Sequence, residues 1–484
     1  MSTDPTASTG RSSTLVRGVR LVPVESRSAH ADPVDIRISD GVIREVTPSL
    51  PSQPGEQVFD GAGRWAMPGL WDHHVHMLQW ALTLVRLDVS GAANPAEVTR
   101  IVGDHVSALS SSSGGAVVTG WGYRSATWPR QPTVAELDAV SGGRPVVLIS
   151  GDGHNGWLSS RALELLGVPP HKGALDENEW FDIFSRLSEL PGAAEESAAG
   201  YGKAVAAAAA KGVVGIVDFE FGSGYRDWPE RLADGIDTLR VRTATYPDGL
   251  DAILDAGLRS GQELPGGGGL LTMGPLKIIS DGSLNTRTAY CREPYADAAS
   301  LEFPRGKQNY SADEVTDLLR RAHDGGLEAA VHAIGDAAVA SALDAFEATG
   351  AAGSIEHAQL VDWADVPRMS RLGVRASVQP AHLLDDWDVT EQCWPDRTDR
   401  CFALRSMLDD GVTLVMGSDA PVSPLDPWLT MAAAVHRAAP GQRPWHPEQS
   451  LTPAEALAAS TDGRRTLAVG EPGDVVLVDD DPLR

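Results

Sequence analysis

The sequence predicts an α/β protein: a (β/α)8 barrel of the TIM type, with a small β-sandwich domain built from both termini and an insertion after the first barrel strand. Three observations support this fold class. Eight short apolar segments alternate with helical patterns in the middle of the chain, strand-like segments occupy both ends, and one interval between barrel strands is far too long for a single crossover. A chain of 484 residues is long enough for one large barrel with an appended domain.

The eight candidate barrel strands are apolar runs of the kind that buried parallel strands produce. The first begins at Leu70, and the others are residues 213–219, 240–246, 274–279, 327–331, 354–355, 374–378 and 412–416. Between them, the alanine-rich residues 204–210 and the periodic segments 312–323 and 337–348 indicate helices. The interval between His76 and Val213 must therefore hold an insertion, at about residues 77–212.

Strand-like patterns at the two ends predict a second, smaller domain. Residues 14–24, 34–46 and 58–65 read as strands in the first part of the chain, and residues 473–478 form a further strand near its end. We therefore expect residues 14–66 and 438–484 to form one composite β-sandwich domain, with the barrel spanning residues 67–437.

The composition is that of a globular protein with an acidic surface. The formal net charge of -26 argues against nucleic acid or an anionic membrane as a partner, because both require basic patches. The three cysteines have no CxxC spacing, which predicts neither a disulfide framework nor a cysteine-type zinc site. The first 14 residues lack the pattern of a secretory signal, and no apolar run reaches about 18 residues, so we expect a cytoplasmic protein that does not span a membrane.

The segment Asp72-His73-His74-Val75-His76 is the strongest indication of function. Because side chains alternate along a strand, His74 and His76 lie on one face, whereas His73 points away from them. Two imidazoles that converge from one rigid strand are half of a transition-metal site.

Four further polar side chains occur in the later candidate strands or directly after them, where barrel enzymes place their reactive residues. Lys277 lies in the fourth strand, His332 and His357 follow the fifth and sixth, and Asp419 follows the eighth. Asp419 has a structural alternative, the N-cap of the following helix. Together with the histidine pair, these residues predict a metal site at the carboxyl end of the barrel.

This ordered set resembles the amidohydrolase superfamily. Segments 119–123, 152–157, 281–289, 379–382 and 451–457 are similar to amidohydrolase family 3, the branch of the YtcJ-like proteins and N-substituted formamide deformylases. The resemblance implies two divalent metals, with zinc expected and iron, manganese or cobalt as alternatives. The implied ligands are His74, His76 and Asp419 for the more buried metal, and His332 and His357 for the more exposed one.

The resemblance also assigns Lys277 to the position of a carboxylated lysine that bridges the two metals. An ammonium group with the ordinary pKa of about 10.4 would be repelled by metal ions, whereas a carbamate formed with carbon dioxide offers two anionic oxygens. The alternative is an uncarboxylated lysine beside a single metal.

The implied activity is hydrolysis of a C–N bond, in an amide, an N-formyl group or a cyclic amide of a small-molecule substrate, by a metal-activated hydroxide. Asp419 would be the catalytic base that takes the proton and passes it to the leaving nitrogen. Two alternatives stay open: a one-metal deaminase of an aminated heterocycle, for which Glu356 is the candidate acid/base, and a non-catalytic scaffold. We also expect a homo-oligomer, but only because homo-oligomers are common among soluble proteins.

Five residues outside the ligand set are candidates for substrate binding. Trp121, His154 and Trp157 lie in the insertion, where they either contact substrate or pack within the insertion. Arg287 either clamps a substrate carboxylate or pairs with a nearby aspartate, and His382 follows the seventh strand. The aromatic residues of the insertion favour a substrate with an apolar or aromatic group.

Overall fold

The computed structural model describes residues 13–24, 32–109, 116–125, 128–151, 153, 155–175, 177–184 and 186–484. In chain order, its strands are β1 Ser13–Leu21, β2 Val34–Ser39, β3 Val42–Thr47, β4 Gln57–Asp60, β5 Trp65–Pro68, β6 Leu70–Val75, β7 Leu87–Asp88, β8 Val118–Tyr123, β9 Val146–Ser150, β10 Gly156–Leu158, β11 Val213–Asp218, β12 Arg240–Thr245, β13 Leu271–Ile279, β14 Ala329–Ala333, β15 Gly353–His357, β16 Arg375–Val378, β17 Leu414–Met416 and β18 Val475–Val478.

The α-helices follow the same order along the chain. They are α1 Met77–Thr83, α2 Pro95–Ala108, α3 Val134–Val140, α4 Ser160–Leu165, α5 Glu177–Phe184, α6 Ala193–Ala210, α7 Gly224–Ala233, α8 Leu250–Asp255, α9 Ala312–Gly325, α10 Asp336–Thr349, α11 Val366–Leu372, α12 Leu383–Cys393, α13 Leu404–Asp409, α14 Pro427–His436 and α15 Pro453–Ala458.

Eight parallel strands form a nearly closed barrel, which confirms the predicted fold class. The order along the sheet is β17-β16-β15-β14-β13-β12-β11-β6, so each barrel strand pairs with its neighbours in the chain. The register aligns the carboxyl ends: Ile279 lies opposite His332, and Ala333 lies opposite His357. Each apolar run that the sequence analysis assigned to the barrel corresponds to one of these strands.

The first and last barrel strands meet through backbone contacts beyond the end of β17. The Ser418 N–H donates to the Asp72 carboxylate at 2.9 Å, and the Asp419 N–H donates to the His74 carbonyl at 2.7 Å. Gly417 permits this approach, because a Cβ atom there would lie 2.6 Å from the backbone nitrogen of His74. The closure of the barrel therefore places His74 and Asp419 side by side.

Strands from both ends of the chain form one six-stranded sheet. Its order is β18-β5-β1-β2-β3, with β4 paired to β1. β18 is antiparallel to β5, with Val475 opposite Pro68. Because β5 leads directly into β6, this sheet adjoins the first barrel strand. The expected sandwich and its boundaries at residues 66 and 438 stay predictions.

The helices around the barrel begin and end at signals in the sequence. The Ser311 hydroxyl accepts the Glu314 N–H, and the Glu314 carboxylate accepts the Ser311 N–H, which forms a capping box at the start of α9. The helix ends at Gly326, whose φ of 79° is left-handed. Between these caps, α9 buries one apolar face that includes Leu319.

The chain divides into two units. One comprises Met1–Val75, Ala208–Asp419 and Ser423–Arg484, and it contains the barrel and the sheet formed by the two ends. The other comprises His76–Ala207 and Ala420–Val422, and it contains a four-stranded sheet of order β10-β9-β8-β7. No helix in the described part of the chain combines the length and the apolar character needed to cross a membrane.

Candidate metal centre

His74 occupies the carboxyl end of β6 and is buried. Asp72, two residues earlier on the same strand face, accepts the His74 backbone N–H at 3.1 Å. His74 Nδ1 lies 2.7 Å from Glu356 Oε2, while Nε2 lies 3.2 Å from Lys277 Nζ and 3.4 Å from Asp419 Oδ1. The ring is therefore held with a carboxylate at one nitrogen and with the lysine and the aspartate near the other.

Glu356 is the residue that orients this ring. It lies on β15, two residues after Ser354, whose hydroxyl donates to Glu356 Oε1 at 2.6 Å. Burial opposes ionisation of Glu356, but the hydrogen bond from His74 and the charge of Lys277 outweigh it and lower its pKa to about 2. Burial also lowers the pKa of His74. We infer a neutral imidazole that donates Nδ1–H to the carboxylate and directs its Nε2 electron pair towards Lys277 Nζ.

Lys277 lies on β13 and is 1% exposed. Its Nζ atom is 4.1 Å from the centroid of the Phe219 ring, in addition to its contact with His74. Burial lowers the pKa of Lys277 to about 8, although the charges of Glu356 and Asp419 act in the opposite direction. A larger fraction of this amine is therefore neutral near pH 7 than for an exposed lysine.

His357 and Asp419 join His74 in a group that can hold a metal ion. One ligand atom from each residue lies within 4.8 Å of the others, and all three residues are buried. His357 Nδ1 has no hydrogen-bond partner among the described residues. The backbone φ angles of His357 and Asp419 are 72° and 58°. Left-handed conformations of non-glycine residues cost about 1–3 kcal/mol and cluster at functional sites.

His332 lies at the end of β14 beside His357, with the two ring centroids 4.5 Å apart. Its Nε2 atom is 3.3 Å from the Gly282 carbonyl oxygen and 3.4 Å from Asp281 Oδ1. Burial and the charge of Lys277 lower the pKa of His332 to about 3. This histidine is therefore neutral, which is the form that binds metals.

His382 also lies at the metal centre. Its Nε2 atom is 3.8 Å from Asp419 Oδ2, and its ring is stacked on that of His357 with centroids 6.0 Å apart. The same nitrogen is buried without a hydrogen-bond partner among the residues that the structure describes. His382 thus lies beside two of the candidate ligands, Asp419 and His357.

Asp386 connects the loops around this end of the barrel. Its two carboxylate oxygens accept hydrogen bonds from Asn285 Nδ2 and Gln359 Nε2, both at 3.1 Å. Burial raises the pKa of Asp386. Because Gln359 follows His357 by two residues, Asp386 supports the segment that carries this histidine.

The predicted site residues of the insertion belong to the second unit. His76 precedes helix α1 as its N-cap. Trp157 is fully buried, and its Nε1 atom donates to the Thr133 carbonyl at 2.9 Å. Trp121 is half-buried and packs against an apolar cluster of the insertion. His154 lies outside the described residues, so the roles of these four residues stay predictions.

Arg287 pairs with an aspartate in the structure. Its Nε atom is 3.4 Å from Asp297 Oδ2, and its Nη1 atom donates to the Asn285 carbonyl at 3.0 Å. This arrangement corresponds to the pairing alternative of the sequence analysis, while the substrate-clamp alternative stays a prediction.

Three carboxylates support the candidate ligands in a way that the sequence did not predict: Glu356 was a candidate only as the acid/base of the alternative deaminase, and Asp72 and Asp281 were not candidates. Asp72 and Glu356 lie on fully buried strands within two residues of a candidate ligand, and a carboxylate at such a position is the signal that could have revealed them. Asp281 follows β13 and accepts the backbone N–H groups of Ile334 and Gly335, so it fixes the segment after His332. Its signal is weaker, because aspartates are common in loops.

Fold and site together define the class of protein: a (β/α)8 barrel whose candidate ligand side chains lie at the carboxyl ends of the strands, where barrel enzymes place their active sites. The model of the amidohydrolase family matches residues 57–484, and the chain belongs to this family. The match covers the barrel, the insertion and the C-terminal strand, which confirms the resemblance inferred from the sequence.

Relatives of known name are similar over most of their length. Protein LONG AFTER FAR-RED 3 of Arabidopsis thaliana is 28% identical, over 82% of this chain and 73% of the relative. The putative amidohydrolase YtcJ of Bacillus subtilis is 25% identical, over 93% and 91%. The N-substituted formamide deformylase of Arthrobacter pascens is 26% identical, over 89% and 86%.

Solved structures show the same architecture. An uncharacterized metal-dependent hydrolase from Pyrococcus horikoshii is 26% identical and superposes with a TM-score of 0.84, covering 98% of each chain. A second such hydrolase, from Pyrococcus furiosus, has the same identity and a TM-score of 0.80, over 98% of this chain and 100% of that one. These neighbours and the family membership indicate a hydrolase.

Proposed function

We propose that the protein is a metal-dependent hydrolase that cleaves a carbon–nitrogen bond other than a peptide bond, in an amide, an N-formyl group or a cyclic amide of a small molecule. The observation that carries this proposal is the buried group of His74, His357 and Asp419, with ligand atoms within 4.8 Å of one another. Family membership and the similarity to an N-substituted formamide deformylase support the amide class of substrate.

The residues present fit a divalent metal. His74 offers Nε2 because Glu356 engages Nδ1, and His357 Nδ1 is a buried nitrogen with no hydrogen-bond partner in the described part of the chain. Neutral imidazoles with a carboxylate are typical zinc ligands. We further propose that His76, His332 and a carboxylated Lys277 would extend this ligand set so that it could hold two zinc ions.

The carboxylation of Lys277 would proceed without another cofactor. The neutral amine attacks the carbon of carbon dioxide, one N–C bond forms as one C=O π bond breaks, and the nitrogen releases one proton to water to give an anionic carbamate. The burial of Lys277 and its pKa of about 8 support this step, because both favour the neutral amine.

A bound metal would polarise the substrate carbonyl and make water more acidic. Asp419 is the proposed base, because its two oxygens lie 3.4 Å from His74 Nε2 and 3.8 Å from His382 Nε2, so that the carboxylate faces the centre. It would take a proton from the attacking water and pass it to the nitrogen as the C–N bond breaks. His382 would position the substrate by a hydrogen bond from Nε2.

The one-metal deaminase receives less support. That reaction needs an acid/base that reaches the substrate, whereas Glu356 is 1% exposed and both of its oxygens are engaged, by Ser354 and by His74. An orienting role for Glu356 accounts for these contacts better than a catalytic one.

The test is a hydrolase screen on protein of known metal content. N-formyl amines, N-acyl amino acids, cyclic amides and aminated heterocycles would be offered to the wild type, Asp419→Asn and Lys277→Ala. We expect amine release from one amide class by the wild type, with both variants folded and at least about 100-fold slower. Ammonia release from a heterocycle that persists in Lys277→Ala would instead identify the deaminase.

The cellular setting is part of the proposal. We propose a cytoplasmic protein, because its three cysteines are buried free thiols rather than disulfides. We also propose a homo-oligomer, since most soluble oligomers are homo-oligomers. Light scattering of the purified protein measures the second property directly.

A further inference from the structure

An aromatic pair lies at the carboxyl ends of two neighbouring barrel strands. Phe221 follows β11 and is 58% exposed, whereas Tyr246 follows β12 and is buried. Their rings are stacked, with centroids 4.8 Å apart and an interplanar angle of 29°. Because β11 and β12 are parallel and adjacent, the pair lies at the same end of the barrel as the metal centre.

Phe219 connects this pair to the metal centre. The Tyr246 hydroxyl donates to the Phe219 carbonyl at 2.7 Å, which fixes the tyrosine ring. The Phe219 ring in turn lies 4.6 Å from the ring of His74 and 4.1 Å from Lys277 Nζ. The hydrogen bond to the Phe219 backbone therefore ties the aromatic pair to the residue whose ring contacts the proposed ligands.

We propose that Phe221 and Tyr246 form a platform for a flat apolar group of the substrate, so that the enzyme prefers amides that carry an aryl ring. The inference rests on the proposed function, because the platform is the outer part of the same site. A ring that packs on the exposed Phe221 removes apolar surface from water and gains ring–ring contact. Tyr246 contributes its ring rather than its hydroxyl, because that group already bonds to the backbone.

The test measures binding separately from turnover. The metal-loaded Asp419→Asn variant would be titrated calorimetrically with N-phenethylacetamide and with N-ethylacetamide, which share the amide and differ in the ring. We expect tighter binding of the aryl amide. Adding Phe221→Ala should weaken binding of the aryl amide by roughly 2- to 12-fold, in line with the range measured for aromatic pairs, and should leave the affinity for the ethyl amide unchanged.

Two matched variants accompany the measurement. Phe221→Tyr keeps a ring at the position and should retain the aryl preference. Phe59→Ala removes a phenylalanine of similar exposure, 48%, from β4 of the sheet formed by the chain ends, and should change neither affinity.

The outcomes separate this inference from the proposed function. Equal affinities for the two amides, or an aryl preference that survives Phe221→Ala, would overturn the platform even if the wild type hydrolyses both amides. An aryl preference that disappears in Phe221→Ala supports the platform even if the wild type hydrolyses neither amide.

Discussion

Replacing Glu356 with alanine should weaken metal binding without unfolding the barrel. The substitution removes the 2.7 Å contact to His74 Nδ1 and leaves that N–H buried without its acceptor. An unsatisfied buried donor costs about 1–3 kcal/mol. Loss of a carboxylate that supports a histidine ligand lowers metal affinity by about 10- to 100-fold. This loss corresponds to about 1.4–2.7 kcal/mol of binding free energy, which is close to the cost of the unsatisfied donor.

The assay is competition for zinc between the protein and a chelator of known affinity. Glu356→Gln is the matched control, because its amide oxygen can still accept the His74 Nδ1–H, and its loss of affinity should be less than about tenfold. Circular dichroism establishes that both variants are folded. A Glu356→Ala protein that binds zinc within twofold of the wild type would refute the orienting role.

Three further predictions concern the barrel and the sheet of the chain ends. Gly417→Ala should lower the free energy of unfolding, measured in urea, by about 1–3 kcal/mol, because the new Cβ would lie 2.6 Å from the His74 backbone nitrogen. Gly202→Ala is the control: its Cβ would enter open space beside α6, so this substitution should be neutral or stabilising. Asp386→Ala should raise KM or lower kcat, because it loosens the segment after His357, and it should change the urea midpoint little. An unchanged rate at every substrate concentration would contradict the role of Asp386 in supporting this segment. Stability should also fall as the pH drops from about 4.5 towards 2, because a hydrogen bond from Arg37 lowers the pKa of Glu56 to about 2 in the folded state, below its ordinary 4.5. Arg37→Gln should remove most of this acid sensitivity, and an unchanged profile would argue against the pair as its source.

The barrel could be predicted from the sequence because its strands are buried on both faces. Parallel strands of this kind read as continuous apolar runs, and Val213–Asp218, with five apolar or glycine residues before its aspartate, is an example. The candidate ligands could be predicted for the same reason, since polar residues at the ends of such runs are conspicuous. His332, His357 and Asp419 follow such runs, whereas Lys277 lies within one and its role was implied by the family resemblance.

The support of the ligands could not be predicted, because it depends on contacts across the barrel. Glu356 lies on β15 and His74 on β6, and these strands are not neighbours in the sheet. A local sequence pattern does not predict which side chains of two distant strands contact each other. For Trp157, the local sequence left two roles open, because its context favoured a substrate contact as much as packing. In the structure, its Nε1 atom donates to the Thr133 carbonyl in the interior of the insertion.

The pairing of β18 with β5 has a consequence for synthesis on the ribosome. Val475 lies opposite Pro68, so β5 acquires this neighbour only after about 400 further residues have been made, which takes roughly 20–80 s at typical translation rates. During that time the nascent chain presents an unpaired sheet edge, a surface that other chains can join. The newborn protein should therefore depend on chaperones more than its finished form does, and removal of the last strand should make that dependence permanent.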